Sequence, residues 1–140
     1  MSKRHIKTLF HAILILLLPS VCLSAQPKKL VRVLISPDNV QRVEITGGSS
    51  YFTPDYIIVK VNVPVEFSLK KDGSWLPHDF VMDEKEAGIE IDETLSAENT
   101  VTVRFTPRKT GSFPFYCTKK FLFFKSHRQK GMEGTLEVTE

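Results

Sequence analysis

Three features of the sequence predict an all-β domain. Short runs of β-branched and aromatic residues recur from residue 30 to residue 139. Turn-forming residues separate them, and no long segment carries a helical period. Many short strands punctuated in this way make a sandwich or a barrel.

The elements follow in order. Leu30–Ile35 (LVRVLI) and Gln41–Thr46 (QRVEIT) read as strands, parted by Pro37-Asp38-Asn39. Those three residue types preset or tolerate turn backbone. Gly47-Gly48-Ser49-Ser50 is the next turn. Tyr56–Val63 and Val65–Lys71 are partly alternating strands with Pro64 between them, a residue that cannot donate to a ladder. Lys71-Asp72-Gly73-Ser74 turns the chain again. His78–Met82, Ile89–Leu95, Thr100–Thr106, Ser112–Cys117 and Gly134–Thr139 complete a set of nine. Residues 118–126 suit a short turn of helix, and no repeat or linker divides the chain.

The N-terminus reads as a secretory leader over residues 1–25. Lys3, Arg4 and Lys7 precede an apolar stretch, Ala12–Leu18, that is short for a membrane span. Small residues end the segment at Ala25. Cys22 opens a second reading, a lipid-anchor signal, which Pro19-Ser20-Val21 fit poorly. Residues 26–140 then form one domain, exported and periplasmic, that is not an integral membrane protein but is able to associate peripherally.

Removing the leader changes the electrostatics. It holds three of the 19 basic residues and none of the 16 acids, so the remainder balances at 16 of each. A neutral domain lacks the cationic excess that non-specific nucleic-acid binding requires. The charge is nonetheless segregated. Seven acids and only Lys85 lie between Asp83 and Glu98, and eight basic residues with no acid lie between Arg104 and Lys130.

Beyond the leader the chain keeps two histidines and one cysteine, His78, His127 and Cys117, with Met132 close behind. A lone cysteine cannot form an internal disulfide, and a lone thiol in an exported protein needs a role. Metal ligation supplies one, because a coordinated thiolate is held deprotonated. Two imidazoles, a thiolate and a weak thioether are the ligand set of a mononuclear blue-copper electron-transfer site. Soft sulfur suits Cu(I) and imidazole suits Cu(II), so the set serves both states with little movement. Met82, on a strand four residues past His78, reads as core. Asp79 has two readings, a tie between ligand loops or an exposed strand-edge acid.

These residues carry a family resemblance. Phe52-Thr53-Pro54, Ile57–Lys60 and Pro64-Val65-Glu66-Phe67 are followed by Thr102–Phe105, then by Gly111 and Phe115-Tyr116-Cys117, and the chain closes on Gly131-Met132-Glu133-Gly134. Together they resemble the single-domain cupredoxins, the plastocyanin- and azurin-like type 1 copper proteins. The resemblance implies a Greek-key β-sandwich with copper near one end. It implies His78, Cys117 and His127 as strong ligands and Met132 as the axial one.

Three departures from related copper proteins shape the expectation. Nine residues separate Cys117 from His127. That is longer than in the small members and closer to copper nitrite reductases. Dinuclear relatives carry a second cysteine four residues after the first; Phe121 stands there, which implies one copper per chain. Multicopper enzymes usually place histidine directly after the cysteine; Thr118 stands there, and no spare histidine remains, which argues against an enzyme. The expected function is electron carriage between redox partners by Cu(I)/Cu(II) cycling. The alternative is copper tolerance, storage or delivery. The inserted run Thr118–Ser126 (TKKFLFFKS) has two readings: its aromatics widen a docking surface, or they fold back over the copper. On the first reading Lys119, Lys120 and Lys125 steer an acidic redox partner, such as a cytochrome or an oxidase.

Overall fold

A computed structural model describes residues 28–140. The leader expected over residues 1–25 lies outside the described residues. Ten strands form two sheets: β1 (Leu30–Arg32), β2 (Gln41–Gly47), β3 (Phe52–Thr53), β4 (Tyr56–Lys60), β5 (Val65–Lys71), β6 (Asp79–Glu84), β7 (Ile89–Thr94), β8 (Val101–Phe105), β9 (Gly111–Tyr116) and β10 (Glu133–Thr139). One sheet has the order β1-β4-β10-β9-β6-β7 and the other β3-β2-β5-β8. The chain crosses between the sheets repeatedly, with β2–β3, β6–β7 and β9–β10 the consecutive strands that stay within one sheet, and this is the Greek-key sandwich expected from the resemblance.

The differences from the sequence reading are local. The first expected strand shortens to Leu30–Arg32, because Val33 turns in to the core and only Ile35 bridges to Gln41. The strand expected to reach Val63 stops at Lys60. Asn62 takes a left-handed φ of 60°, and Gln41 clamps the turn by donating to the Lys60 and Val63 carbonyls and accepting from the Lys60 amide. The short β3 pairs with the end of β2. No helix forms over residues 118–126. Single 3-10 turns occur instead at Lys85–Ala87 and Arg128–Lys130.

Alternation along the strands builds the core. β5 buries Val65, Phe67 and Leu69 and turns the residues between them outward. Phe67 and Phe52 meet Phe80 of β6 edge-on, at 5.9 and 5.4 Å between ring centres. Phe80 stacks on Phe115 of β9 at 5.0 Å. These four rings fix the relative position of β6 and β9, which are antiparallel neighbours through Val81 and Tyr116. The period of two then decides what lies beyond the rings. His78 shares a face with Phe80, and Cys117 shares one with Phe115. Both side chains continue the core face at one end of the sandwich.

Candidate metal centre

Three segments converge at that end. His78 ends the loop between β5 and β6. Cys117 follows β9 directly, and His127 and Met132 occupy the loop from β9 to β10. The antiparallel pairing of β10 with β9 begins at Glu133 and Tyr116, so the loop returns to where it left. The backbone closes it: the Cys117 amide donates to the Met132 carbonyl at 3.1 Å, and the Met132 amide donates to the His127 carbonyl at 2.9 Å. The His127 amide donates to the Lys119 carbonyl at 2.9 Å.

The structure brings the sequence-predicted donors together. Nδ1 of His78 lies 3.1 Å from Nδ1 of His127. The Cys117 Sγ lies 3.5 Å from His127 Nδ1 and 3.9 Å from His78 Nδ1. All three residues are buried, none more than 2% exposed. Among the described residues these form the group of three metal-ligating side chains with convergent donors. The point equidistant from the three atoms is about 2 Å from each, a first-row metal's bond length to imidazole nitrogen and slightly short of one to thiolate. Soft and borderline donors in a near-trigonal set fit copper. Met132 is fully buried and directs its terminal methyl toward Gly47, where an added Cβ would stand 3.2 Å from it.

The electrostatics are compatible with metal binding. Burial, with His127 beside it, lowers the His78 pKa to about 4. Burial and Lys130 lower that of His127. Both rings are therefore neutral near pH 7, with a lone pair on each available. Burial raises the Cys117 thiol to about 11, against the opposing pull of the Asp79 and Lys119 amides. The free protein holds a thiol, and a metal must displace its proton. His78 Nε2 is buried and has no hydrogen-bond partner. A buried nitrogen left unpaired is tolerated where the ring is held for another purpose.

Asp79 settles into the first of its two readings. It is buried, accepts from the Thr118 amide at 2.6 Å and from the Thr118 hydroxyl, and pairs with the Lys119 ammonium at 3.3 Å. Burial opposes its charge, yet the Thr118 hydrogen bonds hold its carboxyl below the usual range. Asp79 and Thr118 each follow a donor in the chain, so this contact ties the two ligand segments. Met82 is fully buried in the core, as expected.

The inserted loop does not fold over the donors. Phe121, Leu122, Phe123 and Phe124 are 45, 69, 84 and 50% exposed. Trp75 belongs to the same surface, 80% exposed and edge-on to Phe121 at 6.4 Å. Its place beside this loop was not legible from the sequence, because 46 positions separate the two residues.

A β-sandwich with two imidazoles and a thiol converging at one end defines a class of metal-binding domain. The cupredoxin-like domain model matches residues 12–136, and the chain belongs to that family. No curated protein is a significant match in sequence. Several solved structures share the fold. The metal-binding domain of the Streptococcus pneumoniae Cu(I)-exporting P-type ATPase CopA, with Cu(I), superposes with a TM-score of 0.61 at 19% identity. That alignment covers 82% of this chain and all of the other. Auracyanin A, a blue copper protein from Chloroflexus aurantiacus, gives 0.54 at 19% identity over 71% and 99% of the two chains. The periplasmic domain of cytochrome oxidase subunit II from Bradyrhizobium japonicum gives 0.54 at 18%, over 71% and 83%.

Proposed function

We propose that this chain is an exported, one-copper electron carrier. His78, Cys117 and His127 would hold the copper as strong ligands, and Met132 would supply a weak thioether donor. The observation that carries the reading is the triangle of His78 Nδ1, His127 Nδ1 and Cys117 Sγ, with sides of 3.1 to 3.9 Å inside a buried site. Bound copper supplies a one-electron couple between Cu(I) and Cu(II). The residues keep the donors still while the charge changes. The Asp79–Thr118 tie and the Cys117–Met132–His127 backbone bonds fix three segments in one arrangement, so little reorganisation accompanies each electron. Burial of the donors excludes water and leaves no face for a substrate, which supports a carrier over an enzyme. Export rests on the leader-like sequence of residues 1–25 and on the location named for the oxidase-domain neighbour. No helix among the described residues is long and apolar enough to cross a membrane.

The visible and EPR spectra of the protein titrated with Cu(II) test this reading. An intense sulfur-to-copper band that saturates at one equivalent is the expected result. Its absence with intact fold overturns the assignment. A second reading, copper delivery, has one observation in its favour, the fold shared with the CopA metal-binding domain. Delivery requires an approach for a competing thiolate, and the full burial of Cys117 disfavours that. Rapid copper transfer to a metal-free acceptor, without stable redox cycling, would select delivery.

A further inference from the structure

The loop over residues 118–126 combines properties that neither the fold nor the metal centre requires. Four consecutive apolar side chains stand out from the surface, and Trp75, on the loop between β5 and β6, joins them. Phe123 stacks on Phe124 at 4.9 Å, and Phe124 on Phe121 at 6.2 Å. The tip is a tight turn, closed by the Phe124 amide donating to the Phe121 carbonyl at 3.1 Å. Leu122 occupies it with φ at +48°. A turn position of that kind favours glycine or asparagine, and a bulky residue there is strained. Leu122 is 69% exposed there, so most of its side chain is unpacked.

The surroundings are cationic. Lys120 and Lys125 flank the apolar tip, both exposed and without an acidic partner among the described residues, while Lys119 is paired with Asp79 and Arg128 with Glu133. The loop itself holds no acid. The chain also enters the domain at this end. Lys28, the first described residue, lines one cavity with Gly131 and Glu133 beside Met132.

We propose that Trp75 and the Phe121–Phe124 tip form a shallow insertion element for an anionic lipid bilayer, with Lys120 and Lys125 at headgroup level. Aromatic rings with adjacent cations are the residue set that partitions to membrane interfaces. A convex cluster of exposed rings on a loop tip enters a fluid phase without needing a shaped counterpart. A rigid protein partner would need matching pockets for each of them. The consequence is orientation: the metal end faces the bilayer. The inference stands independently of copper.

Trp75 is the only tryptophan, so its fluorescence reports on the tip alone. The full chain is mixed with vesicles of phosphatidylglycerol and phosphatidylcholine, with and without brominated acyl chains. A blue shift of Trp75 emission and quenching by the brominated lipid are expected. Leu122→Ser with Phe123→Ser should weaken this response roughly tenfold. Lys120→Glu with Lys125→Glu should weaken it at least fivefold per lysine, and pure phosphatidylcholine should do the same. All these residues are exposed, so the variants keep the fold, which circular dichroism verifies. An unshifted emission on anionic vesicles overturns the proposal. So does quenching that survives in the serine variant, which would make the preceding residues the attachment. A shift produced by an acidic protein but not by vesicles overturns it in favour of protein docking.

Discussion

At the residue scale, the two histidines and the cysteine were legible because their types are scarce and their order is meaningful. What the sequence did not reveal is their protonation, which follows from burial. His78 illustrates the consequence for the metal-free protein. Its ordinary pKa of 6.5 falls to about 4 in the fold, through burial and the neighbouring His127. The unfolded chain therefore binds a proton that the folded one refuses between those values. Stability from this group is full above about pH 6.5, declines as pH falls toward 4, and changes no further below that. Denaturation midpoints of the metal-free protein should drop between about pH 7 and about pH 4.5 by an amount worth a few kcal/mol. His78→Gln should flatten that dependence. A profile as steep in the variant would show that other groups produce it. Cys117 gives a second outcome at this scale. Cys117→Ser should keep the fold and lose the sulfur-to-copper band, because serine offers no soft thiolate. A band that persists in that variant would mean the sulfur was never a ligand.

At the scale of elements, the strands were legible through alternation, and their ends were not. The strand expected over Tyr56–Val63 stops three residues early because Gln41 satisfies the turn from another strand, a tertiary contact with no local signal. The place of Asp79 was equally ambiguous in the sequence, since its partner Thr118 arrives only when β6 pairs with β9. Gly134 shows how tightly β10 seats against the aromatic core. An added Cβ there would lie 2.2 Å from the Phe115 ring and 2.6 Å from the Asp55 carbonyl oxygen. Phe115 is fully buried and stacked on Phe80, so it has no room to yield. Gly134→Ala should cost about 1–3 kcal/mol or more in urea denaturation. It should also disturb the copper spectrum, because Phe115 precedes Cys117 by two residues on the same face. The tip behaves oppositely. Leu122→Asn relieves a left-handed leucine and should raise stability by up to ~1 kcal/mol while leaving the spectrum unchanged. A fall in the melting temperature would indicate that Leu122 packs against something in solution.

At the scale of the whole molecule, charge is where sequence and structure diverge most usefully. The run of eight basic residues from Arg104 to Lys130 reads as one feature along the chain, yet β9 carries it from one end of the sandwich to the other. Arg104, Arg108 and Lys109 sit at the end remote from the donors. There Arg104 pairs with Glu66 at 2.7 Å and Lys109 with Glu86 at 2.9 Å. Only the part from Lys119 onward surrounds the metal centre. Net charge and local charge can therefore be separated by experiment. Lys125→Glu and Lys109→Glu change the net charge equally, at opposite ends. If the field near the donors steers an acidic redox partner, Lys125→Glu should slow bimolecular electron transfer severalfold at low salt, and Lys109→Glu should barely change it. Raising ionic strength past physiological levels shortens the screening length to under about 8 Å and should bring the two variants together with the wild type. Both should retain the wild-type visible spectrum, since neither residue touches a donor. Equal slowing by the two variants would mean that overall charge governs the encounter and that the metal-end lysines have no directional role.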